Sequence, residues 1–265
     1  MGSDKTSLGD RMKNYEVRLR SYVPSKTSAI LRIDGKAFHT YTRGLDKPFD
    51  VPLAEAMAET TKYLCENIQG AKLGYTQSDE ISILLTDYDD INTSAWFDYQ
   101  VEKMVSVSSS LATVKFLHTR VMQILSNRFI SDMPSIEQVY RMKLASFDSR
   151  VMSLPNDEEV INYVLWRQQD AERNSIQALA QSVFSHKQLH GKNTANMHDM
   201  LHEQGMNWND CPTRQKRGIS VIKRQYPKTS GSPAVTVMRS EWYIDNEMPV
   251  ISQDKQYVRN VLPPR

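Results

Sequence analysis

Cysteine is nearly absent: 265 residues hold only Cys65 and Cys211, far apart and in no CxxC pair. That excludes a disulfide framework and a thiolate zinc site, and makes a reducing compartment the expectation. Long apolar runs are missing too. None approaches the roughly 18 residues of a membrane helix, and Met1 to Asp10 is too polar for a signal peptide. A cytoplasmic protein is expected. Net charge is scarce, at +2, but it is unevenly spread. Cys211 to Arg265 carries ten Lys/Arg against four Asp/Glu, leaving −4 on the 210 residues before it. A basic end can meet phosphates while an acidic front binds cations, although a solvated basic surface fits equally well. No internal repeat or extended low-complexity tract is found.

What is present is an alternation of short strands and helices. Ser28 to Ile33 reads as a buried strand. Asp50 is suited to cap a helix running from Pro52 to Ile68, with Gly70 as its stop. Ala71 to Thr76 and Ile81 to Thr86 read as strands joined by the polar turn Gln77–Glu80. A helix is expected over Asn92 to His118, its serines at 106 to 110 packing closely on a neighbour, and a further strand over Leu144 to Phe147. The order is β-α-β-β-α-β, the ferredoxin-like unit of an α+β fold. A helix capped by Asn156 or Asp157 and running to Phe184 follows. His186 to Gln204 is polar and weakly periodic. Strands are expected at Gly218 to Ile222 and Ala234 to Met238, around a loop or hairpin tip at Lys228 to Pro233.

This topology has a consequence for chemistry. A right-handed crossover lays the second strand parallel to the first, and the third returns antiparallel between them. The end of strand one and the turn between strands two and three then share one sheet edge. Asp34 sits at the first and Asp79 at the second. Two carboxylates there are hard oxygen ligands suited to Mg²⁺. Gly35 lets backbone approach a metal or phosphate, Lys36 and His39 can meet phosphate charge, and Phe38 can stack on a base. Singly, Asp34-Gly35 also reads as an ordinary turn and Asp79-Glu80 as a solvated hairpin tip. His186, His190, His198 and His202 read as surface histidines rather than a metal site. The cations Arg214, Lys216, Arg217, Lys223 and Arg224, interleaved with Trp208, Tyr226 and Trp242, can hold phosphates and stack bases, though aromatics of this kind are as readily core.

Five segments together resemble the tRNA-histidine guanylyltransferases and their relatives, the 3′-to-5′ RNA polymerases. They are RIDGKAFHTY from Arg32, KPFD from Lys47, GYTQSDEIS from Gly74, FDSRV from Phe147 and WRQQDAERNS from Trp166, with weaker matches at Asn207–Asn209 and Arg217-Gly218. The resemblance spans nearly the whole chain and implies a polymerase-type palm. It implies that Asp34, the Gly35 carbonyl and Asp79 ligate two Mg²⁺ ions, with Glu80 as the accompanying catalytic acid. It implies a nucleotide site at Asp34 to His39 (Lys36, Ala37 and Phe38 included), Ser78 and Asp79, joined by Lys47, Asp50 and Lys103. The family arginine three positions before Lys103 is Gln100 here. Asp170, Arg173 and Asn174, with Arg214, Lys216 and Arg217, would face RNA. Residues 1–150 would form the catalytic palm, and 151–265 a helical, basic region for tRNA binding and assembly, packed on it.

The implied substrates are tRNA, ATP and GTP or other NTPs, and the implied assembly is a homotetramer. ATP would activate the tRNA 5′-phosphate, and the 3′-hydroxyl of an incoming NTP would then attack it. The eukaryotic-type members carry His-Ile-Asn-Asn after the WRQ segment; here Glu172-Arg173-Asn174-Ser175 stands there. That departure points to template-dependent repair of the 5′ end rather than non-templated G addition to tRNA-histidine. A nucleotide cyclase sharing the palm and a non-catalytic tRNA-binding protein are the other readings. The WRQ segment and basic end argue against the first, and the intact Asp34, Asp79 and Glu80 against the second.

Overall fold

The computed structural model describes residues 7–126, 142–230 and 235–264, apart from the side chains of Ser230 and Val235. A helix, α1 (Ser7–Val17), precedes the central unit. Then come β1 (Ser28–Gly35), α2 (Phe38–Tyr41), α3 (Val51–Asn67), β2 (Ala71–Gln77), β3 (Glu80–Leu85), α4 (Val101–Ser126) and β4 (Phe147–Leu154). Their sheet order is β4-β1-β3-β2, with antiparallel neighbours, which is the expected ferredoxin-like arrangement.

The second half supplies α5 (Asp157–Val183), α6 (His186–Leu189), α7 (Thr194–Glu203), α8 (Thr213–Arg217), β5 (Ile219–Ser230), β6 (Val235–Asp245) and α9 (Gln256–Arg259). Through Leu73 to Thr76, β2 pairs with β5, so the sheet grows to six strands with β6 outermost. Position 150 falls inside β4, and the sheet is continuous across the two halves of the sequence.

Helices cover both faces of this sheet. Leu31, Ile33, Ile81 and Ile83 pack with Met57, Leu64, Met104 and Phe116 of α3 and α4. Ile30, Leu73, Tyr75 and Leu84 pack on the other face with Val160, Ile161 and Val164 of α5 and with Met248, Ile251 and Val258. β1 therefore lacks the polar–apolar alternation of a half-exposed strand: its first four residues are all buried. A smaller cluster joins the end of α5 to Leu189, Leu201 and Trp208.

Local signals account for the helix starts. Asp50 Oδ1 accepts the Leu53 amide at 2.8 Å, and Asn156 Oδ1 accepts Glu159 at 2.9 Å. Ser108 in the serine-rich stretch is buried and donates to Ser149 Oγ of β4 at 2.8 Å, so α4 does pack closely on a neighbour.

Several boundaries differ from expectation; among them, α4 runs on to Ser126 where the helix was expected to end at His118. Leu144 to Phe147 is not the fourth strand; that strand begins at Phe147 and continues through Asp148-Ser149-Arg150. It is an edge strand, where polar side chains are tolerated and mask the pattern. The long helix begins at Val101, because Phe97 and Asp98 adopt left-handed backbone between the buried Trp96 and Tyr99. β5 and β6 are longer than expected and include Lys228; positions 231–234 of the expected loop and strand lie outside the described residues.

Candidate active site at the sheet edge

In β1, Asp34 pairs with Glu80 on one side and Asp148 on the other. The Gly35 amide donates to the Asp79 carbonyl at 3.1 Å, stitching the end of β1 to the β2–β3 turn. Ser78 takes a positive φ of 54° and is exposed in this turn, with the half-buried Asp79 next to it. The two carboxylates expected to meet are thus neighbours on one edge, 45 positions apart in sequence.

Burial pushes the Asp79 carboxyl above the usual carboxylate range, and the charge of Asp34 adds to it; a hydrogen bond from Ser78 (3.0 Å) partly offsets both. Arg150 lies 3.8 Å from Asp34 and 3.1 Å from Asp148. The edge therefore concentrates negative charge on hard oxygen donors, which fits a divalent cation. Among the described residues no three His, Cys, Asp or Glu side chains gather into a closed cage. Mg²⁺ commonly completes its shell with substrate phosphate and water, so two carboxylates and a backbone carbonyl fit that ion.

Gly35 is required for a reason other than ligand approach. A Cβ there would stand 2.2 Å from the Phe38 ring. That ring is 4% exposed and packs with Tyr41, Phe116 and Phe147 at centroid distances of 4.9, 5.7 and 5.2 Å. Phe38 is thus core rather than a base-stacking surface. Its neighbours Lys36, Ala37 and His39 are exposed. Lys143 secures this segment by donating to the carbonyls of Thr40, Tyr41 and Arg43 at 3.0, 3.2 and 2.8 Å, a role no local motif announced.

Glu80 also differs from its expected part. Its carboxylate lies 2.5 Å from Arg32 NH2 and 2.7 Å from Arg167 Nε. Burial pushes its carboxyl up, and the two arginines only partly offset that. With both oxygens so engaged, Glu80 is a buried counter-charge, not a free metal ligand. Arg32 and Arg167 were invisible as site residues because an arginine on a strand or helix carries no periodic signal. The WRQ segment was the clue to Arg167.

A cavity of about 210 Å³ opens beside the turn, lined by Asp50, Leu53, Gln77, Ser78, Asn174 and Arg214 among others. It gathers residues expected to meet nucleotide and residues expected to meet RNA. Asp50 contributes there from a helix cap, its second oxygen accepting the Asp46 amide at 3.2 Å; Lys47 is exposed just before it. Lys103 is not part of this gathering. It lies in the first turn of α4, whose start is tied to the segment leading into β1 by Tyr99 Oη donating to the Thr27 carbonyl and by the Val101 amide donating to that of Ser21. The Asp34 end of β1 is about 20 Å further along the strand. Instead the Lys103 ammonium sits 5.7 Å from the Phe97 ring centroid.

The expected RNA-facing groups divide. Asp170 is not free to meet RNA: its oxygens take Arg167 and Arg173 at 2.7 and 2.6 Å. Arg173 is exposed beyond it. Arg217 pairs with Glu172 at 3.2 Å, and its carbonyl accepts Tyr75 Oη at 2.7 Å. Gly218 follows with φ 84°, where a Cβ would meet Tyr75 Oη at 2.6 Å. Lys216 donates to the Asn209 carbonyl at 2.5 Å.

The family model described as Thg1, tRNAHis guanylyltransferase, matches residues 9–155. A solved bacterial tRNA(His) guanylyltransferase (Thg1)-like protein in complex with ATP is 48% identical, with a TM-score of 0.82 and coverage of 96% of this chain and 98% of that one. One in complex with GTP is 45% identical, with a TM-score of 0.76 and coverage of 97% and 99%. The tRNA(His) guanylyltransferase of Schizosaccharomyces pombe is 25% identical over 95% of this chain and 89% of its own length.

Proposed function

The chain belongs to the tRNAHis guanylyltransferase (Thg1) family, and we propose that it repairs the 5′ end of tRNA by template-dependent addition in the 3′-to-5′ direction. It is a nucleotidyltransferase. The observation that carries the templated reading is Glu172, standing where the eukaryotic-type enzymes have histidine and paired with Arg217. A carboxylate already joined to a guanidinium cannot play the part of a histidine imidazole. The greater identity to bacterial Thg1-like proteins agrees with this branch.

Two substitutions at phosphorus make up the reaction. An oxygen of the tRNA 5′-phosphate attacks the α-phosphorus of ATP, and pyrophosphate leaves. The 3′-hydroxyl of the incoming NTP then attacks the activated 5′ phosphorus, and AMP leaves. Two Mg²⁺ ions, held by Asp34, Asp79 and the Gly35 carbonyl, would supply charge neutralisation and an activated hydroxyl. Asp34 and Asp79 orient these donors from one edge. Lys36 and His39 offer charge to phosphate oxygens, and the Asp50–Ser78–Asn174–Arg214 cavity takes nucleotide and the RNA end side by side. Positioning dominates, since no protein nucleophile is needed. The homotetramer expected from the family belongs to the same proposal.

The test uses a tRNA lacking its first nucleotide, with Mg²⁺, ATP and each NTP supplied separately. Extension only by the complement of the opposing base supports templated repair. Extension by G whatever the opposing base overturns it in favour of G addition to tRNA-histidine.

A further inference from the structure

A chain of alternating charges runs from the surface of α5 to the catalytic edge. Arg173 NH2 meets Asp170 Oδ1 at 2.6 Å, and Asp170 Oδ2 meets Arg167 NH2 at 2.7 Å. Arg167 Nε meets Glu80 Oε1 at 2.7 Å, and Glu80 Oε2 meets Arg32 NH2 at 2.5 Å. Its outer end, Arg173, is half exposed at 52%; its centre, Arg167, is buried at 5%. Its inner end brackets the two catalytic carboxylates, since Glu80 follows Asp79 and Arg32 precedes Asp34 by two residues in β1. The Trp166 ring lies over both inner guanidiniums, 4.3 Å from that of Arg167 and 5.6 Å from that of Arg32.

A chain of this kind is a costly way to hold a helix on a sheet. Burying ions costs more than burying aliphatic side chains of the same volume, and α5 already presents Val160, Ile161 and Val164 to the sheet. What the ions add is directional placement. One link is also imperfect: Arg167 Nε approaches Glu80 closely, yet its N–H lacks the alignment of a hydrogen bond. The residues just after Arg173, namely Asn174, Ser175 and Ala178, line the same cavity as Gln77 and Ser78, so α5 and the catalytic turn border one space.

We propose that Arg167 is a positioning residue that couples the outer face of α5 to the Ser78–Asp79 turn, so that an RNA phosphate at Arg173 adjusts where Asp79 stands. A phosphate there draws the Arg173 guanidinium from Asp170. Asp170 is left with Arg167 as its counter-charge, and the Arg167–Glu80 contact shifts in response. The nature of the outer ligand rests on the function proposed above; the link between Arg167 and Asp79 does not.

The experiment follows Mn²⁺ binding by electron paramagnetic resonance, with and without a tRNA that carries a 5′-hydroxyl and cannot react. Filter binding of that tRNA, single-turnover addition at saturating substrate and thermal melting accompany it. Arg167→Lys keeps the charge and loses the fork. It is expected to weaken Mn²⁺ binding to the free protein and to slow single-turnover addition, each roughly 10-fold as for other groups that orient metal ligands, with tRNA affinity within about 2-fold and the fold retained. Unchanged Mn²⁺ affinity, or a loss confined to tRNA affinity, overturns the proposal. Arg173→Ala, at an exposed position, guards against a variant that does not fold. In the wild type the tRNA is expected to change Mn²⁺ affinity, and in Arg173→Ala that change should vanish; its persistence overturns the coupling. A wild type that adds nothing to any tRNA defeats the proposed function, while the Mn²⁺ titration of the free protein still decides the role of Arg167.

Discussion

The Gly35 amide donates to the Asp79 carbonyl across 3.1 Å, and this bond, which extends the β1–β3 pairing past Asp34–Glu80, sets Asp34 beside Asp79. Because the backbone makes the connection, the spacing of the carboxylates survives changes in the side chains themselves. Asp34→Ala and Asp79→Ala should each reduce both 5′ activation and nucleotide addition to background. Their melting temperatures should not fall below wild type, and Asp79→Asn should melt slightly higher, because burial and Asp34 both disfavour the charged Asp79. Near-normal turnover in either alanine variant would refute the assignment of these carboxylates.

Gly35 faces the Phe38 ring, so Gly35→Ala is predicted to overpack the aromatic cluster and destabilise the protein by about 1–3 kcal/mol, measured by urea unfolding. Phe38→Leu keeps an apolar filler and should leave ATP affinity near wild type. A Phe38→Leu protein of unchanged stability but sharply weaker ATP binding would mean that the ring stacks on the base after all.

Gln168 is a buried amide that answers two backbone groups of the C-terminal segment: Nε2 donates to the Pro249 carbonyl at 2.8 Å, and Oε1 accepts the Ile251 amide at 2.9 Å. Gln168→Leu strands both in an apolar setting, at a cost of about 1–3 kcal/mol for each buried group left unpaired. Chemical denaturation should register that loss, and amide exchange at Ile251 should accelerate. An unchanged midpoint would show that the segment is held by its apolar contacts alone.

Asp170 gives a pH signature. Its burial favours the neutral acid, but hydrogen bonds and charge from Arg173 and Arg167 outweigh that and hold its carboxyl below the usual range. The folded value lies below the unfolded one, so its stabilisation is present above the unfolded value and lost as pH falls through the folded one. The melting difference between wild type and Asp170→Asn should be largest near neutral pH and shrink towards strong acid. A difference that grows on acidification would contradict this.

Much of the fold was legible one segment at a time. Asp50 and Asn156 cap their helices because a short acceptor beside free amides acts locally. The β-α-β-β-α-β order follows from apolar periodicity and turn residues. The β4 boundary escaped because an edge strand tolerates polar side chains, and the start of α4 escaped because two left-handed residues between buried aromatics leave no pattern.

For the site, sequence by itself determined the chemical inventory: which carboxylates stand at strand ends, and which motif each belongs to. Adjacent residues and their order along the chain fix that much. Only the tertiary structure decided how the inventory is used. Phe38 turned inward because three other rings, two of them distant in sequence, meet there. Glu80 became a counter-charge because α5 crosses the sheet and brings Arg167 to it. Lys103 fell at the far end of β1 because α4 starts beside the chain entering that strand and runs in the same direction, so that only its later residues, such as Phe116, reach the Phe38 end. Each outcome depends on contacts between segments tens of residues apart, whose geometry is set by packing rather than by any local preference.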